Sequence, residues 1–184
     1  MNKKIIALLL VFCLAVTGVF AASNVQFKAS VSPSLTGMSF TFQSKENSNR
    51  STFSAGLKGD FAAIFKNGLG PYVAFNGQFT EQSYGLVAGI AYMTKLNNNI
   101  DLMATGGLAL GFGSTRVGNL SLSSGTSMGI QVMCNFDFKM TQSMFVRLGI
   151  GTDIYFVTFP KSGNAITYFS MNVPIPSFSI GWKF

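Results

Sequence analysis

Hydrophobic and polar residues alternate along most of the chain beyond residue 24. In the clearest stretch, Met144 to Phe156, the even positions are apolar except for Thr152. The odd positions from Arg147 to Asp153 are glycine or charged. A period of two is typical of a β-strand whose two faces meet different surroundings. The same alternation recurs in segments 53–65, 73–79, 84–92, 100–111, 128–139 and 178–184, which predicts an all-β protein.

The first strand, from Val25 to Phe42, is less regular because its apolar residues change parity partway along. Residues 25–31 place them at odd positions, and residues 38–42 place them at even positions. One extra residue in a strand turns every later side chain to the other face. We therefore expect a bulge or break around Ser32-Pro33-Ser34.

The lengths of the connections decide the number of strands. With eight strands, the connections at one end are short, at 65–70, 95–99 and 140–142. Those at the other end are longer, at 44–51, 80–83, 113–124 and 158–173. Outer-membrane barrels have short periplasmic turns and longer external loops, and ten strands would reverse that asymmetry. The last connection carries the turn sequence Pro160 to Asn164, so it could form a hairpin with an exposed strand edge.

The faces of the strands indicate which side of such a barrel meets water. A soluble barrel has its apolar face inside, but the polar faces here are rich in Gly, Ala and Ser and poor in charge. Eight charged residues in the seven regular strands lie on the polar face, opposite the apolar positions. A charge facing lipid at mid-membrane would cost about 2–4 kcal/mol. These charges are Lys58, Asp60, Asp101, Asp137, Lys139, Arg147, Asp153 and Lys183. The sequence predicts a closed antiparallel eight-stranded up-and-down transmembrane β-barrel with its apolar face outward.

Aromatic residues cluster near both ends of the predicted strands, as in the girdles that mark membrane–water interfaces. At the end with short turns they are Phe65, Tyr92, Phe136, Phe138, Trp182 and Phe184. At the other end they are Phe53, Phe79, Tyr84, Phe112 and Phe156.

The first 21 residues have the composition of a secretory signal peptide. Lys3 and Lys4 precede an uncharged apolar run from Ile5 to Phe20, which is shorter than the roughly 20 residues of a membrane helix. Cleavage is expected after residue 21 or 22. Lipid attachment at Cys13 is disfavoured because the bulky Phe12 precedes it. Cleavage after residue 21 leaves a barrel domain at 22–184, with a net charge of +5 and Cys134 as its single thiol.

The last eight residues resemble the C-terminal β-signal of outer-membrane proteins, in which in-phase hydrophobic residues precede a terminal Phe. The matching positions are Phe178, Ile180, Trp182 and Phe184. The whole domain resembles the small eight-stranded barrels of the OmpA/OmpX/OmpW class. This resemblance implies location in the cell outer membrane, contact with outer-membrane lipids, and insertion by the barrel assembly machinery.

Little in the sequence indicates catalysis. The chain has no His, which excludes Ser–His and Cys–His nucleophile arrangements and imidazole zinc sites. Cys134 lies at a lipid-facing position. No cofactor or metal is expected, and the dispersed basic residues do not favour nucleic acid. Four cations on the predicted loops could pair with anionic glycolipid or extracellular polyanions, or could be ordinary solvated charges; they are Lys45, Arg50, Arg116 and Lys161.

The candidate site is a group of inward charges that should form ion pairs in a narrow interior. Its members are Lys58, Asp60, Asp137, Arg147 and Asp153. The group is expected to plug the interior, and the protein to be a non-enzymatic barrel with a structural or adhesin-like surface role. The alternative is an OmpW-like channel for small or apolar solutes, suggested by Val87, Met103 and Met133 at inward positions beside inward glycines.

Overall fold

The computed structural model describes residues 25–43, 46–50, 54–79, 83–117, 120–161, 165–174 and 177–184. The predicted signal peptide, residues 1–21, lies outside these ranges. The described residues form ten β-strands. They are β1 (Gln26–Gln43), β2 (Glu46–Arg50), β3 (Ser54–Ile64), β4 (Leu69–Gln78), β5 (Ser83–Lys95), β6 (Ile100–Val117), β7 (Leu120–Lys139), β8 (Met144–Pro160), β9 (Ile166–Pro174) and β10 (Ser177–Lys183).

The ten strands form one closed antiparallel sheet with eight positions around the barrel. β2 and β3 both pair with β1, one above the other, and so share the second position. β9 and β10 share the last position in the same way, and both pair with β8 on one side and β1 on the other. Each remaining strand pairs with its neighbours in sequence. The predicted eight-stranded up-and-down barrel is confirmed.

One end of the barrel, here called the turn end, carries the three short connections 65–68, 96–99 and 140–143. In each turn a polar side chain accepts a hydrogen bond from a nearby backbone N–H. Asn67 Oδ1 accepts from Leu69 at 3.1 Å, and Asn97 Oδ1 accepts from Asn99 at 2.8 Å. Thr141 Oγ1 accepts from Met144 at 3.0 Å. Asn and Thr stabilise tight turns in this way, which explains why these connections can be so short.

The opposite end, here called the loop end, differs from the prediction because the strands extend into the segments expected to be loops. β6 and β7 remain paired up to Val117 and Leu120, where a loop over 113–124 was expected. β8 and β9 remain paired from Asp153 to Thr158, which confirms the hairpin. The expected exposed edge is wrong, because β9 also pairs with β1 from Phe42 to Thr36. Backbone pairing does not need an apolar face, so it continues where the apolar alternation fades.

The irregularity of β1 lies later than expected. Residues 32–34 keep regular register with β3, and Pro33 faces Leu57. The register shift falls between Thr36 and Met38, so Gly37 is the extra residue of a bulge against β9. Glycine is readily accommodated in a bulge, whereas proline only removes one N–H from a strand. The parity change was therefore correctly predicted, but its position was wrong.

The outer surface of the barrel is apolar, and the residues alternating with it point inward. On β5 and β6, Ile90 and Leu108 are 65% and 64% exposed, while Ala91 and Ala109 are almost completely buried. On β8, Ile150 is exposed and Arg147 is buried. The prediction that the apolar face is outside is confirmed. No helix long and apolar enough to cross a membrane occurs in the described ranges.

Aromatic side chains stand on this outer surface near both ends. Tyr92, Phe136, Trp182 and Phe184 are exposed at the turn end. Phe79, Tyr84, Phe112 and Phe156 are exposed toward the loop end, and Tyr84 faces Phe112 across β5 and β6. Phe65 and Phe138 are partly buried, and Phe53 lies outside the described residues.

The interior also contains an apolar cluster along β3 to β6. Its buried members are Ala62, Ile64, Tyr72, Ala74, Val87, Ala91, Met103 and Ala109, with Met93 and Tyr155 packed against them. The charged network borders this cluster, since Arg147 Nη2 lies 3.7 Å from Met103 Sδ.

Candidate functional site in the barrel interior

Arg147, on β8, is the centre of an ion-pair network inside the barrel. Its Nε atom donates to Asp137 Oδ1 at 2.6 Å, and its Nη2 atom donates to Asp137 Oδ2 at 3.0 Å. Its Nη1 atom donates to Asp60 Oδ1 at 2.8 Å. Asp137 is the register partner of Arg147 on β7, whereas Asp60 projects from β3. The planar guanidinium binds one carboxylate with two bonds and reaches a second, which a lysine could not do in the same geometry.

Lys28, on β1, connects Asp137 with a third carboxylate, that of Asp101. Its ammonium lies 2.7 Å from Asp137 Oδ2 and 3.2 Å from Asp101 Oδ2, and the residue is 1% exposed. Asp101 and Asp137 face each other across β6 and β7, so two like charges would be adjacent without it. Because β1 and β6 are four positions apart in an eight-position barrel, Lys28 and Asp101 together connect opposite walls of the interior.

Phe145 and Lys139 complete the network toward the turn end. The Phe145 ring is buried, with Lys28 Nζ at 4.9 Å and Arg147 Cζ at 5.0 Å from its centroid. Desolvated cations are attracted to the face of an aromatic ring. Lys139 Nζ lies 3.0 Å from Asp101 Oδ1. The network thus holds three cations and three carboxylates: Lys28, Lys139, Arg147, Asp60, Asp101 and Asp137.

Asp153 and Lys58 lie apart from these direct ion pairs. Asp153 Oδ1 accepts a hydrogen bond from Gln131 Nε2 at 2.6 Å. No carboxylate within the described ranges lies in ion-pairing distance of Lys58, although Asp153 and Asp60 are close enough to act on it electrostatically. Asp60 is also held by Ser30, whose hydroxyl donates to Asp60 Oδ2 at 2.6 Å.

The structure therefore brings together three of the five predicted site residues, Asp60, Asp137 and Arg147. Lys28, Asp101, Lys139 and Phe145 belong to the network but were not among the predicted site residues. The alternation of β1 contained the signal for Lys28, because its apolar neighbours Phe27 and Ala29 have the opposite parity. No such signal marks Phe145. The alternation cannot tell an apolar residue that faces inward from an outward residue in a strand whose register has been assigned wrongly.

The charged groups of the network pair with one another inside the barrel. Each of its carboxylates has at least two hydrogen-bonding or ionic partners, and Lys28, Asp137 and Arg147 are almost completely buried. Buried charges of this kind are tolerated only when they are paired. The inward apolar residues Val87, Met103 and Met133 are buried as well. No group of three metal-binding side chains occurs in the part of the chain that the structure describes.

The predicted insertion residues lie on the outside of β10 and at its end. Phe178, Ile180 and Trp182 point outward and are 40–49% exposed, and Phe184 is 75% exposed. The backbone of Phe184 exchanges two hydrogen bonds with Phe27, at 2.9 and 3.2 Å, so the end of the chain is fixed beside the start of β1.

Three of the four predicted loop cations lie within the described residues, and all three are at the loop end. Lys161 follows β8 and is exposed. Arg50 ends β2 and Arg116 pairs with Ser121 near the tip of β6 and β7. Lys45 lies outside the described residues.

Comparison with solved structures identifies the fold. Ail of Yersinia pestis, in complex with the heparin analogue sucrose octasulfate, is 12% identical with a TM-score of 0.52, covering 88% of this chain and 99% of that one. Neisserial surface protein A (NspA) is 15% identical with a TM-score of 0.54, covering 88% and 98%. The outer membrane protein OprG from Pseudomonas aeruginosa is 10% identical with a TM-score of 0.53, covering 88% and 96%.

No family model and no curated protein matches the sequence. At these identities the likeness concerns the fold alone. The chain has the closed eight-stranded barrel fold of small outer-membrane proteins, and its apolar exterior is that of a barrel surrounded by lipid.

Proposed function

We propose that this protein is a non-enzymatic integral barrel of the outer membrane whose polar interior is closed by the ion-pair network. The observation that carries the proposal is the position of Lys28 and Arg147, which link β1, β3, β6, β7 and β8 across the interior. Paired side chains that connect opposite walls would block a continuous polar path through the barrel. The role is then structural or one of surface interaction.

The outer-membrane location is supported by the fold and by the apolar exterior. The predicted signal peptide, residues 1–21, would direct export. Phe178, Ile180, Trp182 and Phe184 would then be read by the barrel assembly machinery during insertion. Their alignment along one outward edge, beside the seam between β10 and β1, supports that role.

Surface interaction is the part of the proposal that concerns a ligand. Ail was solved with a heparin analogue, a sulfated polyanion. In this chain, Lys161 is exposed at the loop end, and Arg50 and Arg116 lie on strands that extend there. We propose that the loop end binds an extracellular polyanion. Sucrose octasulfate should bind more weakly to Lys161→Ala than to Lys66→Ala, its matched control at the turn end; equal binding by the two variants would remove this part of the proposal.

Single-channel recording in planar bilayers tests the closed interior. Protein whose heat-shifted gel mobility shows a folded barrel should give no stable openings. Stable openings whose conductance changes in Arg147→Ala would instead show that ions pass the network, and would favour the small-channel alternative. A mature chain that remains soluble without detergent and shows no heat shift would refute the membrane barrel altogether.

A further inference from the structure

The inward positions at the turn end carry an unbalanced set of cations. Lys95 is the register partner of the inward Asp101, and Lys183 is the register partner of the inward Lys28. Lys139 also has inward parity, since it alternates with Asp137. These three lysines end β5, β7 and β10, which occupy three separate parts of the barrel wall. The turn end of the barrel interior, where these three lysines lie, is here called the turn-end mouth.

The turn-end mouth lacks the carboxylates that would neutralise it. The sequence has six acidic residues, and four of them are the inward aspartates already described. Of the other two, Glu46 begins β2 at the loop end, and Glu81 follows β4 in the sequence and lies outside the described residues. The ion-pair network is neutral in itself, so Lys95 and Lys183 are additional positive charges.

The cations of the mouth remain accessible. Lys95 is exposed, Lys183 is partly exposed, and the Lys139 side chain is 25% exposed. Gln26 starts β1 at the same end with inward parity, and its buried Nε2 atom has no hydrogen-bond acceptor. Charges of one sign around an opening with low-dielectric walls concentrate their field there and attract counter-ions. An amide donor without an acceptor adds a directed hydrogen bond for an anion.

We infer that the turn-end mouth is a binding site for a phosphate-class anion. Lys95 and Lys183 supply the charge, and Gln26 supplies a neutral donor. Lys139 interacts with Asp101 and contributes the rest of its charge to the mouth. The phosphate can be a free oxyanion or the headgroup of a phospholipid in the leaflet at that end. The inference rests on the proposed function in one respect, namely that the barrel lies in a membrane with the mouth at its surface.

The test uses the mature protein in nanodiscs of phosphatidylcholine, titrated with pyrophosphate at low ionic strength. Binding is followed by NMR of isotopically labelled lysine side chains. Resonances of Lys95 and Lys183 should shift with pyrophosphate, and the double variant Lys95→Gln/Lys183→Gln should bind about tenfold more weakly. Lys66→Gln, an exposed lysine in the first turn, is the control and should bind like the native protein. Added salt should weaken binding, because the charges are accessible.

A second arm separates the two sources of phosphate. In nanodiscs containing phosphatidylglycerol, a headgroup in the mouth would reduce the response to pyrophosphate, and native mass spectrometry would show lipid retained by the native protein and lost from the double variant. An undiminished response would identify the free oxyanion. Shifts confined to Lys66 or Lys161, or equal affinity in the double variant, would overturn the inference. The heat-shifted mobility of each variant is checked first, so a failure here remains distinguishable from a failure of the barrel itself.

Discussion

At the scale of single residues, the structure depends most on Arg147. Its guanidinium is the direct partner of Asp60 and shares Asp137 with Lys28. Removing one partner of a buried ion pair is more costly than removing the whole pair, because the other charge stays buried. For Arg147 two carboxylates are affected at once.

Arg147→Met should therefore lower the free energy of unfolding by about 3–5 kcal/mol. Urea denaturation of the folded barrel in detergent, followed by tryptophan fluorescence of Trp182, measures the change. Arg147→Lys keeps the charge but not the two-bond geometry, and should lose less. If the Arg147→Met and Arg147→Lys variants were both as stable as the native protein, the network would not contribute to stability.

Glycine at position 89 is required by the close approach of β5 and β6. A Cβ atom there would collide with the backbone of Gly106 and Gly107, which cannot move without breaking the ladder. At Gly106, on the outer face, the nearest atom to an added Cβ is Gln131 O at 3.8 Å.

Gly89→Val should then abolish or strongly reduce the folded, heat-shiftable form, whereas Gly106→Val should fold. The comparison is made by refolding both variants into detergent and measuring the folded fraction on gels. Equal folded fractions would show that the backbone can separate at this point without loss.

At the scale of elements, the alternation of apolar residues predicts the strands because lipid outside and packed side chains inside impose opposite demands on the two faces. It fails where those demands end. Beyond the membrane the ladder of β6 and β7 continues on backbone hydrogen bonds, which leave no apolar pattern to read. The position of the β1 bulge was missed because parity shows that a shift occurs but not at which residue.

The candidate site was predictable only in part for a related reason. Parity places a charge inside, but it does not show which charges meet across the barrel. Asp60 and Arg147 are 87 residues apart in sequence, and their contact depends on the tilt and closure of the whole sheet. Lys28 required the same closure to reach Asp101 on the opposite wall.

The outer face of β8 provides a test of membrane depth within one element. Ile150 lies in the middle of the strand and Phe159 near its loop end, and both are exposed on the outside. Ile150→Arg should cost about 2–4 kcal/mol and Phe159→Arg about 0–1 kcal/mol, because the penalty for a charge falls toward the interface. Urea unfolding from lipid vesicles gives both values. Equal, small costs would mean that this face is not covered by lipid.

At the scale of the whole molecule, closure depends on a seam between the first and last strands. β1 meets β10 from Lys28 to Val31 and β9 from Thr36 to Phe42, so two short ladders replace one long ladder. Because pairing at the seam joins residues about 150 apart in sequence, it must close a long loop, which carries a large entropic cost. Among the described pairings, the seam includes the shortest ladder, of four pairs between β1 and β10, and joins the partners most distant in sequence.

A crosslink across the seam should stabilise the barrel more than one elsewhere. Val31 and Ile180 are register partners on the outer face, with Cβ atoms expected to be about 5 Å apart. In a Cys134→Ser background, Val31→Cys/Ile180→Cys joined by a short bifunctional thiol reagent should gain about 2–4 kcal/mol against unfolding, since the crosslink restricts the unfolded chain. Val31→Cys/Ile150→Cys, on strands that are not neighbours, should not crosslink within one folded barrel. If the seam pair failed to react in folded protein while both cysteines were accessible, β1 and β10 would not be adjacent and the barrel would be open.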